Sequence, residues 1–359
     1  MRILIAPDKF KGSLSAREVS DSIAAGLGDV LPDARIDIVP MADGGEGTAE
    51  VICDALGGSW LKCKAHDPLG REIEARYAWI DAQKLAVMEM SEAAGMRRLS
   101  ESERDPLRAN TFGVGEMLIE ASRHGAEKII VGLGGSATND GGCGMARALG
   151  FGFDYEQENE RRVSDLISLR RIQKPKELRV PKIIAAADVR NPLLGENGAT
   201  RVFGAQKGAT EGQVYILERA LTKLADIVSK QFGVDYRDEP GAGAAGGLGF
   251  GLMSFCGAKI RPGFEVVAEA VDLESKMKNV DVVITGEGSL DRQTLEGKTP
   301  AGVARLARKL GKRVFAIVGR ASEDRQAREL FDDVLELGGS IPHARELLRE
   351  RARQICSSF

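Results

Sequence analysis

Aromatic side chains make up only 5% of this 359-residue chain, too few for a platform that stacks single-stranded bases. Histidine is scarcer still: His66, His124 and His343 are the only three, and none lies in a glycine-rich loop. Ser-His-Asp and Cys-His catalysis are therefore not expected, nor is a histidine-rich metal site. The five cysteines (Cys53, Cys63, Cys143, Cys256, Cys356) are odd in number and form no C-x-x-C pair, which speaks against a disulfide framework or a zinc knuckle. No apolar run approaches the ~18 residues of a membrane span, and MRILIAPDKF lacks the apolar length of a secretory signal. An excess of charge is missing too. Fifty Lys+Arg against 53 Asp+Glu leave a net charge of −3, so no basic field draws the whole molecule to nucleic acid or lipid. These absences lead to the expectation of a soluble, reduced, cytoplasmic protein with neither nucleic-acid nor membrane partner, and they leave a homodimer open.

Glycine, by contrast, is abundant. The chain has 43, where average usage of about 7% would give roughly 25. Each surplus glycine costs backbone entropy unless the chain needs positive φ or close approach to a ligand, so their placement is informative.

The apolar run Arg2–Ala6 reads as a buried strand closed by Pro7, and Ser15-Ala-Arg-Glu18 is a capping box opening a helix to about Leu31. A second strand over Ile36–Pro40 and a second helix over Glu46–Leu56 repeat the pattern. WLKCKAHD, EIEARYAWID and KLAVMEM then read as antiparallel strands divided by turn residues. Alternation resumes with a helix over Val114–His124, a strand over Lys128–Val131, a helix over Gly142–Leu149, a strand over Lys182–Ala187 and a long helix over Gln213–Phe232. From Val280 the first texture returns, with strands at Asp281–Thr285, Arg313–Val318 and Asp333–Leu337 around a helix at Pro300–Leu310. Two strands from one end and three from the other would make one parallel sheet. The expected fold is thus α/β, with residues 1–58 plus 266–359 forming one discontinuous domain and residues 59–265 an inserted second α/β domain.

Four loops combine glycine with oxygen-bearing side chains and lysine. Asp8-Lys-Phe-Lys11-Gly-Ser13 follows the first strand, where ligands of open parallel sheets bind, and the next helix offers N–H groups to an anion. Lys9, Lys11 and Ser13 are its anion-binding candidates. Asp43-Gly-Gly-Glu46-Gly-Thr suits a hard cation such as Mg²⁺. Gly132–Gly144 packs six glycines into thirteen residues; Gly134, Gly135, Ser136, Thr138 and Asn139 are its phosphate or substrate candidates, and Asp140 a metal candidate. Thr285-Gly-Glu287-Gly-Ser289-Leu-Asp291 adds Glu287 for metal and Ser289 for substrate. GKT at 297–299 fails as a P-loop, because position 292 is Arg and no strand abuts it. Gly241–Gly251 contains a formal G-x-G-x-x-G, but DYRDEP before it is no buried strand, so it reads as close packing beneath a ligand site. Asp188, at the mouth of the strand KIIAAA with Asn191 nearby, is the first choice of general base, with Asp8 and Asp291 as competitors.

Carboxylates, lysines and amide-rich loops without histidine describe phosphoryl transfer, in which the protein positions reactants and neutralises charge. PDKFKGSLSA, PMADGGEGT, GLGGSATNDGGCGM, GAGAAGGLGFG and GEGSLD closely resemble the type I glycerate kinases, the bacterial glycerate 2-kinase family, in the same order along nearly the whole chain. The resemblance implies ATP- and Mg²⁺-dependent phosphorylation of (R)-glycerate, commonly to 2-phosphoglycerate. It also implies a flavodoxin-like domain built from both chain ends and an inserted α/β domain, with the active site in the cleft between them. Two other readings stand against it: an NAD-dependent hydroxy-acid dehydrogenase, and a non-catalytic sensor of a phosphorylated metabolite.

Overall fold

A computed structural model of the chain describes residues 1–156, 162–290, 298–322, 325–338 and 343–359. The fold is mixed α/β with parallel sheets, in two compact units: Met1–Leu56 with Pro262–Phe359, and Gly57–Arg261. The second junction falls earlier than the expected 265/266. The helix Gly263–Ala270 belongs to the first unit, where a Cβ on Gly263 would lie 2.0 Å from the Asp43 carbonyl oxygen.

The first unit holds five parallel strands, in chain order Arg2–Ile5, Arg35–Ile38, Val282–Thr285, Arg313–Val318 and Asp333–Glu336. Across the sheet they stand in the order 2-1-3-4-5. That is the flavodoxin-like order, whose crevice for ligands opens outside the carboxyl ends of strands one and three. Ile3, Ile5, Ile284, Phe315 and Ile317 are buried because a parallel sheet is covered on both faces. The capping box is present: Glu18 N–H donates to the Ser15 hydroxyl at 3.2 Å and Ser15 N–H to the Glu18 carboxylate at 2.8 Å. The helix it opens, Ala16–Val30, packs on the C-terminal helix Ala344–Ile355 so closely that a Cβ on Gly26 would lie 2.2 Å from the Arg349 carbonyl oxygen.

The second unit has a six-stranded sheet with neighbours in the order Lys259–Arg261, Lys182–Ala186, Lys128–Gly132, Leu85–Glu89, Glu72–Ile80 and Ser59–His66. The first four run parallel and the last two join antiparallel. Leu85–Glu89, expected among three antiparallel strands, is therefore the joint between the two patterns. Its five residues are all buried, which is what a strand with neighbours on both sides requires. The glycine-rich 241–251 stretch enters a helix, Ala244–Cys256, that the sequence reading did not assign. Ala245, Gly246 and Gly247 all have positive φ there, and the helix lies against the 132–144 loop. Among the described residues, no helix is long and apolar enough to cross a membrane.

Candidate functional site

Three loops of the first unit leave the carboxyl ends of adjacent strands around the point where strand order reverses. Asp8, in the first, is buried, and its N–H donates to the Gly286 carbonyl at 2.9 Å, tying the first loop to the third. Its carboxylate accepts from the Thr299 hydroxyl at 2.6 Å and from the Lys9 N–H at 2.7 Å. Burial pushes this carboxyl up to about 6, the Asp43 carboxylate adds to the rise, and Lys9 and Thr299 work against it. The Lys9 ammonium donates to the Glu46 carbonyl at 2.5 Å, tying the first loop to the second. Half-buried Asp43 accepts from the Gly45 N–H at 3.0 Å; Glu46 is exposed, and Glu287 is buried. Lys11 is exposed beside Gly12, and Ser289 lies in a two-residue strand paired with Arg320–Ala321. Asp291 lies outside the described residues.

The second unit works with backbone. Gly132 ends its strand, and the N–H groups of Gly134, Gly135 and Ser136 meet no acceptor among the described residues. Gly135 is exposed at φ +73, so three successive N–H groups sit in a turn open to water at its tip, an arrangement that binds anions. Met96 N–H donates to the Gly135 carbonyl at 2.9 Å, and Ala137 N–H to the Ala94 carbonyl at 2.9 Å, fixing the turn from the side. The buried Ser91 hydroxyl lies beside Gly135 and has no hydrogen-bond partner among the described residues.

Two assignments change in the folded chain. Asp140, expected at a metal, is 2% exposed and its oxygens are already occupied. Thr111 donates to it through N–H at 2.9 Å and hydroxyl at 2.8 Å, Gly144 N–H at 2.9 Å and Gly142 N–H at 3.1 Å. With four donors on one carboxylate, Asp140 holds the turn together and offers a cation no open face. The amides after Ser13 were expected to receive an anion, but the Glu18 carboxylate of the capping box already stands at that helix start. A phosphate there would meet like charge.

Asn139 is fully buried and donates through Nδ2 to the Thr200 hydroxyl at 2.9 Å, while Thr138 is buried next to it. Asn191 donates through Nδ2 to the Asn197 carbonyl at 2.7 Å, so it shapes the turn after the strand mouth; Asp188 stands half-buried at that mouth. Gly241–Gly251 performs the packing expected of it: a Cβ on Gly246 would lie 1.9 Å from the Thr138 carbonyl oxygen, and one on Gly251 2.6 Å from that of Gly141. No strand precedes its G-x-G-x-x-G, so the dinucleotide fingerprint lacks its context. Sequence reasoning missed Thr299, although it stands in the GKT tested as a P-loop, and Lys207, which no motif marks. Lys207 is 2% exposed and donates to the Thr138 carbonyl at 2.8 Å.

Strand-mouth carboxylates with lysine in one unit and a glycine-rich anion turn in the other define an α/β protein equipped for anionic, oxygen-rich ligands. The family model described as the glycerate kinase family matches residues 3–359. The chain is 41% identical to the glycerate kinase of Halalkalibacterium halodurans, across 98% of this chain and 97% of that protein. It is 42% identical to the glycerate 2-kinase of Escherichia coli K12, across 90% and 86%. A crystal structure described as glycerate kinase 2 of Salmonella typhimurium LT2 superposes with a TM-score of 0.88 at 40% identity, covering 100% of this chain and 98% of that one. The chain belongs to the glycerate kinase family.

Proposed function

We propose that this protein phosphorylates (R)-glycerate with ATP and Mg²⁺, giving 2-phosphoglycerate. The observation that carries the reading is the pair Asp8 and Asp43: a buried carboxyl pushed up to about 6, partly by a second carboxylate, with Lys9 beside it. Such a pair is electrostatically costly by itself and is relieved by a divalent cation or by taking up a proton. Both belong to phosphoryl transfer. Among the described residues, no group of three or more His, Cys, Asp or Glu is placed to hold a metal. That fits Mg²⁺, which keeps several waters and binds through one or two carboxylates plus substrate phosphates. Asp43 would hold it, with Glu46 and Glu287 reaching it through water; when bound, it neutralises phosphate charge.

The chain's own groups divide the remaining work. Gly134, Gly135 and Ser136 receive phosphate oxygens on their N–H groups, and Ser91 adds a hydroxyl. Lys9 and Lys11 offset negative charge on the substrates. Asp8 accepts the proton of the attacking glycerate hydroxyl as its oxygen bonds to the γ-phosphorus and the bond to the ADP oxygen breaks. Asp8 is preferred to Asp188 as base because a carboxyl near 6 matches the task of a base at neutral pH better than an ordinary one. Thr299 and the Lys9 N–H hold it in one orientation.

Coupled ADP release across small hydroxy acids, with and without Mg²⁺, followed by ³¹P NMR of the product, tests the reading. ADP release with glycerate only in the presence of Mg²⁺, and a phosphorus signal coupled to the C2 proton, are expected. Release without glycerate, or with a different hydroxy acid alone, would overturn it. Lys9→Met that keeps wild-type kcat/KM for both substrates removes Lys9 from the site.

A further inference from the structure

Lysine is almost never sealed from water without a partner, yet Lys207 is among the largest fully buried side chains of the molecule. Its ammonium makes one hydrogen bond among the described residues, to the Thr138 carbonyl at 2.8 Å. The backbone that carries it is locked: Gly208 follows at φ +93, where a Cβ would stand 2.5 Å from the Arg104 carbonyl oxygen. The same Thr138 carbonyl is approached by Gly246, whose own added Cβ would lie 1.9 Å from it. Asn139 and Asp140, the next two residues, are clamped at other atoms, by Thr200 and by the four donors on the Asp140 carboxylate. Three consecutive residues are thus each gripped separately, one residue after the Gly134–Ser136 N–H groups.

We propose that Lys207 is a positioning residue for phosphoryl transfer: by gripping the Thr138 carbonyl as an ammonium, it sets the direction of the Gly134, Gly135 and Ser136 N–H groups. The role in catalysis rests on the phosphate reading of that turn given above. A charge-assisted hydrogen bond is roughly twice as strong as a neutral one, so a protonated lysine holds the carbonyl where a neutral amine lets it drift. Displacement by about 1 Å in a phosphate-binding group is enough to cost on the order of 10²-fold in rate.

Geometry also makes the grip sensitive to pH. Burial draws the Lys207 ammonium down to about 7, with Asp140 working against the fall. Asp140 is the charge facing it from the turn. The helix Ala199–Phe203 packed beside it carries Arg201, which is exposed. Arg104 lies beyond Gly208, and burial pushes the Cys143 thiol far above its usual range. The proton on Lys207 therefore leaves near neutrality.

Backbone amide NMR of the full, nucleotide-free chain reads the turn directly. From mildly acid to mildly alkaline pH, the Gly134, Gly135 and Ser136 resonances should shift together with one midpoint near neutrality, and K207M, shown to be folded by thermal unfolding, should abolish the shift. In the kinase assay, wild-type kcat/KM for ATP should fall through the same midpoint as pH rises. K207M should sit about 10²-fold lower below the midpoint with no such fall, and K207R should recover part of the loss, both keeping only the rise near 6 that Asp8 sets as base. Turn resonances that stay fixed across the range in wild type, or a folded K207M with wild-type resonances and kcat/KM, would overturn the assignment. Should K207M fail to fold, the wild-type titration decides alone. A chain that phosphorylates no hydroxy acid defeats the proposed function, while the resonances still report on Lys207.

Discussion

The candidate groups of the first unit are side chains and those of the second are backbone N–H groups, and their glycines differ accordingly. Gly12 and Gly47 in the first unit adopt φ of +76 and +93, yet a Cβ on either would meet nothing within 4 Å. Gly246 and Gly247 in the second also have positive φ, but a Cβ there would lie 1.9 Å from the Thr138 carbonyl oxygen and 2.8 Å from the Gly141 Cα. In the first case glycine supplies a dihedral angle; in the second it supplies an angle and the absence of a side chain together. Charge follows the same division. The Asp43 carboxylate raises the Asp8 carboxyl in the first unit, whereas the buried Asp140 and Lys207 of the second are committed to gripping one turn. Side-chain chemistry tolerates slack in the backbone around it, and backbone chemistry does not.

The sharpest way to break that comparison is G246A. Both surfaces in contact are main chain, so no side-chain rotation relieves the overlap, and the positive φ adds its own strain. We expect about 5 kcal/mol of lost stability, at the exceptional end for one substitution, or no soluble protein. Urea unfolding showing a loss near that of an ordinary surface change would mean the two elements part easily.

K207M tests the second unit's buried charge through stability alone. Lys207 titrates near 7 in the fold and near 10.5 when unfolded, so between those values the unfolded chain holds more protons. Wild-type stability should therefore rise with pH across that interval, by on the order of 5 kcal/mol, while K207M stays flat. Parallel curves for the two proteins would show that the lysine is not held against its charge.

D8N brings the same reasoning to the first unit, with the opposite sign. Asp8 titrates near 6 when folded against 3.8 unfolded, so the folded chain holds more protons between those values. Wild-type stability falls as pH rises through that window, and the full cost remains above it. At neutral pH, D8N should be more stable by on the order of 3 kcal/mol without Mg²⁺, and with Mg²⁺ it should lose at least about 10²-fold in kcat. Loss of activity with no gain in stability would leave Asp8 catalytic but unstrained. Full activity retained in D8N, together with a large loss in D188N, would return the base to the second unit.

The strand mouths were readable in the sequence because alternating βα texture announces itself locally: the five strands of the first unit and the loops carrying Asp8, Asp43 and Glu287 lie where periodicity puts them. Three features were not readable for one shared reason, namely that they are set by long-range pairing. Asp140 looks like a metal ligand until Thr111, 29 residues away, is seen to donate to it twice. Thr299 reaches Asp8 from 291 residues away, and Lys207 reaches Thr138 from 69. The capping box at Ser15 is visible in the sequence, but propensity says where a helix begins and not that its own Glu18 carboxylate occupies the place an anion would take. The helix Ala244–Cys256 escaped because six glycines in 241–251 argue against helix on propensity, and packing against the 132–144 loop overrides that preference.

G12A is the gentlest test, and it separates the two uses of glycine most cleanly. Alanine at φ +76 costs about 1–2 kcal/mol in the folded chain, partly offset by about 0.4–1 kcal/mol from a less flexible unfolded chain. The net loss should be under about 1.6 kcal/mol, with kcat/KM near wild type, because open space surrounds the added methyl and Lys11 beside it is already exposed. If G12A instead keeps its stability and loses most of its kcat/KM, substrate approaches the main chain at this loop as closely as Gly246 approaches Thr138. The first unit would then bind through backbone too, and the contrast between the units would reduce to which of them is already packed before substrate arrives.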